Sequence, residues 1–166
     1  INIAGHAAGG LASYLGVERF GHNVNGEPIS GFAIPGMDEY WDKDIFITEA
    51  LTQEALKALD KVIEKENPFF LYMSHYAVHI PLQADNRFLE KYLQQGLSYP
   101  EAAYATMVEG VDKSLGDIMN YLTEKGEIEN TIILFMSDNG GYSLQGRTPP
   151  LHTHNQPLRS GKGSAY

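Results

Sequence analysis

Two short, unbroken apolar runs, Phe69-Phe70-Leu71-Tyr72-Met73 and Thr131-Ile132-Ile133-Leu134-Phe135-Met136, limit what this chain can fold into more than any other feature. A run with no polar alternation demands burial on both faces, the pattern of a strand inside a parallel sheet. Each run follows a stretch with helical periodicity. Before the first, Thr52 stands where a helix cap is expected, and Ala55, Leu56, Leu59, Val62 and Ile63 share one face up to the stop at Asn67-Pro68. Before the second, a longer helix is predicted from Pro100 to Lys125, with Tyr104, Met107, Val108, Val111, Leu115, Ile118, Met119 and Leu122 in one stripe and Gly126 placed for a left-handed end. A further helix is predicted from Asp85 to Gln95, closed by Gly96. Helix followed by buried strand, twice over, predicts an α/β fold: a mainly parallel sheet with helices on both faces. Residues 1–40, rich in Gly, Asn, Pro and aromatics and lacking either period, are predicted to be irregular, with 41–141 the α/β core and 142–166 a loop.

A chain of 166 residues suits one domain. Its 12 Lys and Arg against 21 Asp and Glu leave a net charge of -9, which argues against nucleic acid or an anionic membrane as the main partner. An anionic substrate stays open, because a few local cations or a metal dominate a small site. No apolar run approaches the roughly 18–20 residues of a membrane span. The start, Ile1-Asn2-Ile3-Ala4-Gly5-His6, carries neither an initiator Met nor a targeting signal, and both ends are expected to lie inside a longer polypeptide. With no cysteine, a disulfide framework, a thiolate metal site and a cysteine nucleophile are all excluded within these residues.

In open α/β sheets ligands sit beyond the carboxyl ends of the strands, so the residues after each apolar run are the first candidates. His75 and His79 follow the first; Asp138 and Asn139 follow the second. Asp138 and Asn139 offer hard oxygen donors suited to Ca²⁺ or Mg²⁺, and Gly140-Gly141 lets the backbone turn beside them; the competing reading is a plain Asn-Gly turn. His79 suits donation to an anionic oxygen or a leaving group, against the commoner role of a satisfied structural histidine. The spacing of His75 and His79 does not make a zinc-protease helix, because Tyr76 stands where the Glu would be. His152 and His154 are a possible metal hand or exposed loop residues. Lys162, between Gly161 and Gly163, suits an anion, but it is not a P-loop lysine because Gly163 rather than Ser or Thr follows it.

These scattered signals coincide with one pattern. Pro68 to Gln83, Tyr104 to Gly116, Thr131 to Gly141 and Pro157 to Tyr166 resemble, in order and spacing, blocks of the formylglycine-dependent sulfatases of the alkaline-phosphatase-like superfamily. The resemblance covers residues 38–166 and implies a central, incomplete part of that fold. It implies hydrolysis of a sulfated small molecule or carbohydrate, with Asp138 and Asn139 as ligands of Ca²⁺ in preference to Mg²⁺, and His79 and Lys162 in contact with the sulfate. His154 and Arg159 are implied neighbours of the substrate. A periplasmic or secreted location is implied too. The family's Cys/Ser-x-Pro-x-Arg nucleophile motif and two further Asp ligands have no counterpart here, so formylglycine is expected upstream, in the remainder of the same polypeptide. On its own the 166-residue piece is expected to be inactive. Phosphoester or phosphonate hydrolysis, and a non-catalytic module of the same fold, stay open as alternatives.

Overall fold

The computed structural model describes residues 3–5, 10–65, 67–141, 157 and 161–162. Three helices organise them: α1, Ile47–Ile63; α2, Asn86–Gln94; and α3, Tyr99–Glu124. α3 packs against both of the others. Its start follows from local chemistry. The Glu101 carboxylate accepts from the Ser98 backbone N–H at 3.1 Å and from its hydroxyl at 2.6 Å, and Pro100 in the first turn has no N–H to leave unpaired. Its end is turned by Gly126 at φ +76°. α2 begins where Asp85 accepts from the Arg87 backbone N–H at 3.1 Å.

α1 begins five residues before the expected cap, so Thr52 lies inside the helix. Its hydroxyl donates to the Thr48 carbonyl at 2.7 Å and meets the Ser114 hydroxyl of α3 at 2.6 Å, all of it buried. This contact also explains why the buried side of α3 is offset from the expected stripe. Where α3 meets α1 it presents small residues, Gly110 beside Thr48 and Ser114 beside Thr52, while Val108 and Met119 are exposed. Close approach of two helix backbones selects small side chains over large ones.

The irregular N-terminal stretch is the heart of the larger core. Tyr14, Phe20, Ile34 and Met37 are fully buried with Ile47 and Met107 from α1 and α3. Gly16 is required here: a Cβ would stand 2.6 Å from the Lys43 carbonyl and 2.7 Å from that of Tyr40. A second cluster joins Leu59 of α1 to Ile118 and Leu122 of α3.

The expected parallel sheet is not formed among the described residues. Among the described residues the chain is mainly helical, and strand-type pairing is limited to two isolated antiparallel bridges, Leu15 with Phe46 and His22 with Pro28. Phe69, Leu71 and Met73 lie on the second cluster, whereas Phe70 and Tyr72 are 91% and 77% exposed. That is the period-two alternation of an extended chain resting one face on two helices. In the second run Ile132, Ile133, Leu134, Phe135 and Met136 are all exposed. An unbroken apolar run states a demand for burial; it does not supply the neighbouring strand that a ladder needs.

Ion pairs fasten α2 to the other helices. Arg87 grips the buried Asp85 carboxylate through Nε at 2.9 Å and a terminal nitrogen at 2.5 Å, and reaches Glu49 of α1 at 2.5 Å. Lys113 of α3 lies 3.2 Å from the same Glu49. Burial would raise the Glu49 carboxyl, but Arg87 and Lys113 outweigh it and hold it below the usual carboxylate range.

Candidate functional site

The chain leaves the first apolar run and turns sharply between Tyr76 and Gln83, with cis peptides at Ala77–Val78 and Ile80–Pro81. His79 sits on this loop, its backbone N–H donating to the Tyr76 carbonyl at 2.9 Å. Its ring Nδ1 lies 3.0 Å from the Ile80 carbonyl. A carbonyl only accepts, so Nδ1 carries a proton and Nε2 is the nitrogen left to exchange one. The imidazole edge faces the N-terminal segment, with Cε1 3.7 Å from where a Cβ on Gly10 would stand.

His75 is placed differently. Its Nδ1 is buried without a hydrogen-bond partner among the described residues, and burial pushes its pKa below the ordinary histidine value. The folded state therefore resists protonation. Stability carried by neutral His75 is complete above about pH 6.5 and is lost as pH falls from there towards the folded value, at up to about 1.4 kcal/mol per pH unit. Urea unfolding between pH 7.5 and 5.5 is expected to show this slope and His75→Gln to flatten it; an unchanged slope in the variant assigns the effect to other groups.

Asp138 to Gly141 form a second corner, to which the chain returns at Lys162. Asp138 and Asn139 are exposed, the Asn139 amide donates to an Asp138 carboxylate oxygen at 2.5 Å, and Gly140 turns the chain at φ +75°. The backbone N–H of Lys162 donates to the Gly141 carbonyl at 3.0 Å, which ties the backbone of the glycine-flanked lysine to the residue two after Asn139. No hydrogen bond or ion pair among the described residues joins His79 to this corner. His154 and Arg159, like His152, lie outside the described residues.

As donors, Asp138 and Asn139 suit a hard cation, since both present oxygen and neither presents sulfur or imidazole nitrogen. They are a partial set. Ca²⁺ takes about 6–8 oxygens, and among the described residues no group of three or more Asp, Glu, His or Cys gathers in one place. A cleft of about 190 Å³ lies elsewhere, lined in part by Phe46, Glu49, Asp85 and Arg87, and of its charged groups Glu49, Asp85 and Arg87 are paired with one another.

The family described as Sulfatase matches residues 13–166. The chain belongs to the sulfatase family. Among its relatives, the arylsulfatase J of Mus musculus is 34% identical over 128 residues, 76% of this chain and 20% of that protein. The N-acetylgalactosamine-6-O-sulfatase of Bacteroides thetaiotaomicron is 36% identical over 160 residues, 88% of this chain and 28% of that protein. The chain thus spans under a third of the length of either relative. The crystal structure of Ps i-CgsB superposes with a TM-score of 0.62 at 36% identity, covering 74% of this chain and 26% of that one. The same protein in complex with k-i-k-neocarrahexaose gives a TM-score of 0.63.

Sequence reasoning missed the residues that hold the His79 loop: Tyr14, Ser13, Glu18 and Gln83. Tyr14 lies in the stretch read as irregular, and its partners are 62 to 69 positions away. No local pattern signals such a contact.

Proposed function

We propose that the polypeptide containing this chain hydrolyses sulfate esters of a carbohydrate, with His79, Lys162, Asp138 and Asn139 as part of its site. The family match carries this reading, because it spans the His79 loop, the Asp138–Gly141 corner and Lys162 in the order the resemblance requires. The relatives narrow the substrate class. One is an N-acetylgalactosamine-6-O-sulfatase, and another crystallised with k-i-k-neocarrahexaose.

Asp138 and Asn139 hold Ca²⁺ in this reading, with further ligands from the remainder of the polypeptide. The cation, when bound, supplies positive charge against the sulfate oxygens, and the formylglycine of another segment supplies the attacking oxygen. Lys162 places its ammonium on the sulfate oxygens, where charge builds as the ester bond breaks. His79, with Nδ1 committed to Ile80, handles its catalytic proton through Nε2 and gives it to the departing sugar oxygen. His154 and Arg159 contact the carbohydrate. The location is periplasmic or secreted.

The test is release of inorganic sulfate by the purified full-length protein. It is expected from an N-acetylgalactosamine-6-sulfate or carrageenan oligosaccharide, with removal of divalent cations abolishing it and p-nitrophenyl phosphate turned over far more slowly. Faster phosphate release would assign the chain to phosphoester hydrolysis; turnover of neither ester, to a non-catalytic module.

A further inference from the structure

The His79 loop is gripped at both ends by one short stretch of the N-terminal segment. Tyr14 is fully buried, its ring stacked on Phe46 at a centroid distance of 5.0 Å and an interplanar angle of 18°. Its hydroxyl lies 2.7 Å from the His79 carbonyl and 2.9 Å from the Tyr76 carbonyl, between the two ends of the turn that carries His79. A phenol has one proton and two carbonyls offer only lone pairs, so Tyr14 donates chiefly to the nearer, His79. At the far end of the loop Gln83 accepts the Tyr14 backbone N–H at 2.6 Å. The Gln83 amide also donates to Glu18 at 3.1 Å, whose carboxylate takes the Ser13 hydroxyl at 2.5 Å. Tyr14 is itself fixed to the start of α1, where its carbonyl accepts the Ile47 N–H at 2.8 Å.

A buried hydroxyl aimed at two carbonyls, on a ring that stacking already immobilises, is more than a filler of the core; a phenylalanine would pack as well. We infer that Tyr14 is a positioning residue that fixes the backbone of the His79 loop, and with it the imidazole, relative to α1. The step from loop to reaction rests on the sulfatase role proposed above for His79. The step from Tyr14 to loop order does not.

Tyr14→Phe removes the hydroxyl and keeps the stacked ring, and two measurements decide the inference. In the full-length protein, exchange of the His79 amide, which donates within the loop to the Tyr76 carbonyl, is expected to accelerate about 10-fold while α3 amides keep their protection, since only a local opening has been eased. In the full-length protein, kcat on a sulfated oligosaccharide is expected to fall roughly 10-fold with KM within about 2-fold, the signature of a misplaced group rather than a lost binding contact. Equal acceleration in the loop and in α3 would mean that Tyr14 serves only global stability and would overturn the inference; so would an unchanged kcat where His79→Ala abolishes turnover. If His79→Ala itself leaves turnover intact, the proposed role of His79 is what fails, and the exchange measurement still decides whether Tyr14 orders the loop.

Discussion

Alanine at position 79 of the full-length protein is expected to lower kcat on a sulfated oligosaccharide by about 10²–10³-fold, the usual cost of losing a positioned proton donor. The structure makes the expectation sharper than a bare loss. Because Nδ1 faces the Ile80 carbonyl, a single nitrogen is left to deliver the proton, and its beneficiary is an alcohol oxygen that departs poorly as an alkoxide. A phenolate departs without help. With p-nitrophenyl sulfate the loss is therefore expected to shrink to about 10-fold. Equal losses on both substrates would remove the acid role and leave His79 as a sulfate contact. His75→Gln, four residues earlier, is expected to change stability and its pH dependence far more than kcat.

The second large effect concerns stability. Leu59→Ala is expected to destabilise the 166-residue chain by about 2–5 kcal/mol in urea unfolding, the range for emptying a fully buried leucine site. Leu59 is 2% exposed and belongs to the small cluster with Ile118 and Leu122 on which Phe69, Leu71 and Met73 rest. Collapse into the vacated volume is limited, because α1 and α3 are already held at close range by the Thr52–Ser114 contact. Against a typical total of about 5–15 kcal/mol this is a large fraction. A loss below about 1 kcal/mol would show that the cluster contributes little.

The three helices were legible because their signals are local. Spacing at 3.6 residues, Asp85 and Pro100 at the starts of α2 and α3, and Gly96 and Gly126 at their ends act over a few positions. The sheet was misread because Phe69–Met73 and Thr131–Met136 declare only that apolar area seeks cover, and pairing is a property of two segments together. Tyr14, Phe20, Ile34 and Met37 were invisible for the opposite reason: they are core residues in a stretch without periodicity, placed by turns and long-range bonds. At the candidate site, the order of His79, Asp138, Asn139 and Lys162 was readable as a family pattern. The return of Lys162 to Gly141 and the clamp on the His79 loop depend on backbone geometry and were not.

The second apolar run has a practical consequence at the bench. Thr131 to Met136 contains no charge, proline or glycine, and five of its side chains stand open to solvent. Segments of that kind stack readily into intermolecular cross-β arrays. Soluble yield of the isolated 166 residues will therefore be governed by concentration and temperature during purification, and a single lysine in place of Leu134 is the simplest gatekeeper to install before any of the unfolding measurements are attempted.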